Sequence, residues 1–185
     1  IRGEIDFDSQ GNCYIASSTQ SNNFPIVNSL VQPLLKGSQD GILFKINKDL
    51  SNLEWSTFLG GSNNDAIYSL SFDSEDDVFV SGGTKSINFP TTSNAYQPNY
   101  IGGISDAFIT HFNSDGSEIL HSTFFGSAEY DQAYFIEVDN MDAVYIYGQT
   151  LAQGTALIHN ANFAQPNSGQ FIAKLHQDLS NISFS

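Results

Sequence analysis

Ser56-Thr-Phe-Leu-Gly-Gly61 returns 66 residues later as Ser122-Thr-Phe-Phe-Gly-Ser127, and the same step carries Asp65 to Asp131, Asp73 to Asp139, Val78 to Val144, Gly82 to Gly148 and Thr84 to Thr150 without a gap. A step of 65 backwards places Asp73 on Asp8, Val78 on Cys13, Thr84 on Thr19, Phe89-Pro90 on Phe24-Pro25 and Gln97-Pro98 on Gln32-Pro33. Three copies of one unit therefore fill the 185 residues, with boundaries read at 1–61, 62–127 and 128–185. Such self-similarity means that one supersecondary unit is stacked on itself, because a single unit cannot bury its apolar face alone.

Each unit reads as four short strands. In the first, Tyr68, Leu70 and Phe72 share a face, as do Gly3, Ile5 and Phe7 and then Tyr134, Ile136 and Val138; period two means strand rather than helix. A turn rich in Asp and Asn follows at 8–12, 73–77 and 139–143, where short polar side chains cap their own backbone. The second strand, at 13–16, 78–80 and 144–147, is apolar on both faces, as in a sheet covered on both sides. The third is read at 42–46, 108–112 and 171–175, and a tight turn such as 113–117 leads to the fourth at 54–59 and 121–125. No segment carries a 3.6-residue apolar stripe long enough for a stable helix, so the chain reads as all-β.

Four antiparallel strands repeated at a fixed period fit the blade of a β-propeller, whose sheet packs face to face on the next. Common blades have about 40–50 residues. These are longer because the link from the second to the third strand is long, 22 residues from Lys85 to Asp106. A β-solenoid is the other reading, although its coils are much shorter than 66 residues. The expected architecture is three consecutive blades starting near Ile1, Ala66 and Gln132, with the first strand of each nearest the axis. Ile1 aligns with Ala66 and Ser185 with Ser122, so the third blade is expected to lack the end of its fourth strand, and the missing initiator Met fits a processed or truncated start. Rings close with about four to eight blades. The remaining blades are therefore expected from sequence beyond this stretch, from a partner subunit or from a second copy, and the chain alone is expected to associate through its uncovered faces.

The runs 56–66 and 72–84, with Asn-Phe-Pro-Thr-Thr at 88–92, Ala-Tyr-Gln-Pro at 95–98 and Asp-Ala-Phe-Ile at 106–109, resemble the bacterial SBBP propeller repeat family. The likeness spans essentially the whole chain; the third copy departs from it, losing the Phe-Pro pair and carrying Leu151 to Phe163 instead. The resemblance implies the propeller fold and a place in secreted or surface-exposed bacterial proteins, often large ones exported by type IX secretion. It implies no enzymatic activity and no catalytic residue.

Charge restricts the partners. Twenty acidic side chains against 6 basic ones give a formal net charge of −14, and six scattered cations supply no stripe for a phosphate backbone or an anionic membrane. Only 14% of residues are charged while 13% are aromatic, a neutral-polar composition of the kind extracellular β-proteins show. The longest apolar run, 143–147, is far too short for a membrane-spanning helix. The single Cys13 forms no internal disulfide and, aligned with Val78 and Val144, reads as a small buried hydrophobe.

Among candidate residues, Asp40, Asp65, Asp106 and Asp131 stand at the ends of the long connections, hence on one rim, and read as loop supports that accept backbone N–H bonds. Calcium is the functional alternative for these carboxylates; no segment matches the twelve-residue loop with spaced oxygen ligands, so no cofactor is expected. The acidic turns at 73–77 and 139–142 read as solvated. No two of His111, His121, His159 and His176 have ligand spacing on one element, and His111, aligned with Lys45 and Lys174, reads as solvent-facing; no metal site is expected. Phe24 and Phe89 either plug the core or line a binding rim. Tyr96, Tyr100 and Tyr130 lie on the long-loop rim, and Tyr100 and Tyr130 have no aromatic counterpart in the other copies, which makes them the ligand candidates, for a protein or a carbohydrate.

The expected function is a non-catalytic extracellular or cell-surface scaffold or adhesion platform within a larger secreted protein. An enzyme acting on extracellular polysaccharide, and a cargo or accessory of a bacterial secretion or surface-motility machine, stand as alternatives.

Overall fold

The computed structural model describes residues 3–185; Ile1, where the first unit was read to begin, lies outside them. Twelve strands occur among the described residues and no helix. The first sheet holds β1 (Glu4–Phe7), β2 (Cys13–Thr19), β3 (Asp40–Ile46) and β4 (Leu53–Leu59), in that order and antiparallel throughout. The second holds β5 (Asp65–Phe72), β6 (Val78–Thr84), β7 (Asp106–Phe112) and β8 (Ile119–Phe125). The third holds β9 (Asp131–Val138), β10 (Val144–Thr150), β11 (Gln170–Leu175) and the short β12 (Ile182–Phe184).

The first turn of each sheet is built by its leading Asp. Asp8 Oδ1 accepts from the backbone N–H of Gln10 and Asn12, Asp73 Oδ1 from Glu75 and Asp77, and Asp139 Oδ1 from Met141 and Ala143. The fourth turn residue takes a left-handed backbone, at Gly11 (φ 83°), Asp76 (φ 62°) and Asp142 (φ 59°), which Gly, Asp and Asn tolerate best. All tight turns fall on one rim, here the lower; the long connections fall on the other, the upper.

The sheets stack in chain order. Tyr14, Ala16, Leu43, Trp55 and Leu59 of the first pack on Ile67, Leu70, Val80, Phe108 and Phe112 of the second. The second turns its opposite face, Phe79, Ala107, Ile109 and Phe125, to Ala133, Ile136, Val144, Ile146 and Leu175 of the third. The middle sheet is thus covered on both faces and β6 is buried along its length. The outer sheets are covered on one face only, which corrects the reading of their second strands as doubly covered: Tyr147 on β10 is exposed.

Strict alternation in the first strand also fails. The pairing of β5 with β6 shifts between Ile67 and Ser69, so Tyr68 is an extra residue and Ile67, fully buried, takes the core place. β9 repeats this at Tyr134, with Ala133 turned inward. A bulge re-aims one side chain: Tyr68 and Tyr134 meet each other at 5.5 Å, and the Tyr68 hydroxyl donates to Gln132 Oε1 at 3.2 Å.

Candidate functional site

On the upper rim two carboxylates meet at each junction between sheets. At the first, Asp40 accepts from Gln32 Nε2 and from the Lys36 and Gly37 N–H groups, while Asp65 accepts from the Gly61 N–H and from the Thr84 and Ser86 hydroxyls. At the second, Asp106 accepts from Gln97 Nε2 and the Ile101 N–H, and Asp131 from the Ser127 N–H and hydroxyl. The second pair is less satisfied: Asp106 Oδ1 and Asp131 Oδ1 are buried without a hydrogen-bond partner. Burial, with Asp131 adding repulsion, pushes the Asp106 carboxyl up to about 7, and burial raises Asp65 too.

The three tyrosines do not converge. Tyr96 is half-buried against Phe125 and shares a 3.0 Å hydrogen bond with His159 Nε2. Tyr100 packs edge-on to Phe124 and its hydroxyl donates to the Gly103 carbonyl within its own loop. Tyr130 instead joins Tyr134 through their hydroxyls, 3.1 Å apart, and so extends the bulge pair Tyr68–Tyr134 toward Gln149. Phe24 and Phe89 fold over the core, Phe24 against Phe44 and Phe58, Phe89 against Phe108 and Phe124.

The lower rim carries a repeated charge device. In the first sheet Lys45 Nζ lies 3.1 Å from Asp8 Oδ2 and over the Tyr14 ring; in the third Lys174 Nζ lies 3.5 Å from Asp139 Oδ2 and over Tyr145, donating to its hydroxyl. Burial alone would lower Lys45, but its bonds to Tyr14 and Asp8 outweigh that and raise it. In the second sheet the same three places hold Phe79, His111 and Asp73. His111 stacks on Phe79 at 3.8 Å and its Nε2 lies 3.4 Å from Asp73 Oδ2 and 3.9 Å from Asp77 Oδ2.

His111 is only 3% exposed, which overturns its reading as solvent-facing; a Lys at that register lies along an aromatic ring rather than in water. Asp73 is buried as well, so this turn is not simply solvated. Burial drives the imidazole down to about 4, leaving the ring neutral at neutral pH, and burial raises the Asp77 carboxyl. The donor atoms of Asp73, Asp77 and His111 lie within 4.8 Å of one another although their elements are far apart in sequence. Spacing along single elements missed the group; the fold assembles it from a turn and the third strand.

No family model matches the chain, and no curated protein does. Among the described residues no helix is long and apolar enough to cross a membrane.

Proposed function

We propose that the chain is a three-blade section of a β-propeller, completed by further blades of the same type, and that it serves as a non-catalytic scaffold and binding platform outside the cell. The observation that carries this reading is the chemistry of the two uncovered faces. On the third sheet Phe135, Tyr147 and Ile172 stand side by side in register, with Phe135 58% and Ile172 54% exposed. Their equivalents in the second sheet, Ser69, Ser81 and Ile109, are buried against the third. On the first sheet Ile5 and Phe7 are exposed, whereas their equivalents Leu70 and Phe72 pack against the first sheet's core. Each open face is one half of an interface that the chain already makes twice, and contiguous exposed apolar surface of this kind drives association.

The extracellular assignment is supported by the likeness to the SBBP repeat and by the neutral-polar, aromatic-rich composition. For a partner, protein or carbohydrate, the upper rim offers Tyr68, Tyr130 and Tyr134 with the Gln132 and Gln149 amides between them. Sedimentation velocity over a wide concentration range tests the reading. The wild-type chain should associate, and Phe135→Lys with Ile172→Lys should disperse it with an unchanged far-ultraviolet spectrum. A wild-type chain that stays monomeric at every concentration overturns it.

A further inference from the structure

The second sheet departs from its two neighbours at four places that lie together on the lower rim. Where the first sheet has Tyr14, Lys45, Asn12 and Trp55, the second has Phe79, His111, Asp77 and His121. One departure would be drift. Together they remove the ammonium and the phenol hydroxyl that held the repeat's Asp, and add a second carboxylate and two imidazoles. The remaining Asp73 has lost its built-in cation, and nothing in the sheet replaces it.

The carboxylates are also oriented. Asp73 Oδ1 is fixed by the Glu75 and Asp77 N–H groups, and Asp77 Oδ1 accepts from the Ser114 N–H at 2.7 Å. Each therefore turns its Oδ2 toward His111 Nε2. Gln177 Nε2 donates to Asp73 Oδ2 at 3.0 Å from the third sheet's last turn and holds it from the far side. Backbone and amide groups that lock ligand orientation in this way are what tunes a metal site. Both nitrogens of His111 are buried without a hydrogen-bond partner, an unusual cost for a polar ring unless something else engages it. His121, directly across the strand pair with its ring 5.8 Å away, likewise has a buried Nδ1 without a partner.

We propose that Asp73, Asp77 and His111 form a binding site for a divalent transition cation of the zinc class, with His121 or water completing the shell. Metal–ligand distances of about 2.0–2.2 Å in a tetrahedron put donor atoms about 3.3–3.6 Å apart, and the His111–Asp73 and His111–Asp77 separations are 3.4 and 3.9 Å. An imidazole among the ligands selects against calcium and magnesium, which take oxygen. The cation restores in the second sheet the positive charge that Lys45 and Lys174 supply in the others, and it ties the sheet's lower turn to its third strand.

The test is titration of the metal-free chain with Zn²⁺ by calorimetry and with Co²⁺ by visible absorption, beside His111→Lys and Asp77→Asn. His111→Lys restores the residue that the other two sheets use, so it should fold; Asp77→Asn keeps the acceptor for Ser114 and removes only the ligand oxygen. One Zn²⁺ should bind with a tetrahedral Co²⁺ spectrum, raise the melting temperature reversibly with chelator, and shift the His111 ring resonances. Both variants should lose at least about 100-fold in affinity, as loss of a direct ligand exceeds the 10–100-fold typical of outer-shell changes. Excess Ca²⁺ should not compete. Absence of binding, binding undiminished in both variants, or ring shifts confined to His159 and His176 would each overturn the proposal.

Discussion

The junction between the first and second sheets and the junction between the second and third are built from the same repeat, yet they treat buried charge in opposite ways. At the first, Lys45 neutralises Asp8 and also lies 3.7 Å from Glu54, in a water-accessible cleft of about 390 Å³ that Trp55, Asp76 and Asp115 help to line. On its upper rim every oxygen of Asp65 receives a hydroxyl or N–H. At the second, a stacked His111 faces two carboxylates below, and Asp106 and Asp131 each keep an unpartnered oxygen above. Residues that recur in each copy report what the fold requires; charge left uncompensated in one copy marks where something beyond the fold acts on the chain.

The largest difference should come from removing an acid of the lower rim. Asp8→Ala strips three turn hydrogen bonds and leaves Lys45, its side chain 12% exposed, without its principal partner. Breaking a buried pair on one side costs about 3–5 kcal/mol. Asp139→Ala removes the equivalent pair where both side chains are 22–26% exposed, and the loss should be smaller, about 1–2 kcal/mol, mostly from the turn bonds. Urea unfolding of both variants measures the gap; equal losses would mean that burial of the pair is not what separates the two sheets.

The upper rim should separate the junctions by pH. A carboxyl raised to about 7 in the fold, against about 3.9 in the unfolded chain, keeps its proton in the fold after the unfolded chain has lost it. Its contribution to stability therefore falls as pH rises from about 4 to about 7 and is flat above. Asp106→Asn retains an acceptor for Gln97 and Ile101 and removes the ionisation, so it should be more stable than wild type at pH 8 and close to it at pH 4. Asp65 is shifted in the same direction and leaves part of the fall in place. Denaturant midpoints at the two pH values decide the matter; an Asp106→Asn profile parallel to wild type would place the unusual ionisation elsewhere.

These contrasts were only partly legible in the sequence. The period, the strands and the Asp-led turns were, because hairpins are local and the repeat aligned without gaps. The bulges at Tyr68 and Tyr134 were not: one extra residue leaves the spacing between copies intact while reversing which side chain enters the core. His111 was misplaced because its alignment with two lysines suggested water, when the Lys stems lie along rings. The signal that would have found it was present, in four simultaneous departures of one copy rather than in any ligand spacing. The tyrosines of the upper rim were grouped by loop, and the fold divides them by which junction they serve.

The smallest effect concerns the turns that touch across each junction. Asp76, in its left-handed conformation, accepts from the Ser9 N–H of the preceding sheet at 2.9 Å, and Asp142 accepts from the Ser74 N–H at 2.9 Å; both also take the serine hydroxyl. The first sheet has Gly11 at that place and so no side chain to offer. Asp76→Gly copies Gly11, keeps the backbone shape without strain and deletes only the clasp, which should cost about 0.5–1.5 kcal/mol. Asp142→Gly should cost the same if both junctions rely on their clasps equally. If the lower rim of the second junction is held mainly by a cation at Asp73, Asp77 and His111, Zn²⁺ should mask the loss in Asp142→Gly and leave that in Asp76→Gly untouched. Melting temperatures of the two variants with and without Zn²⁺ separate the cases, and an equal metal response in both would place the cation's grip within the second sheet alone.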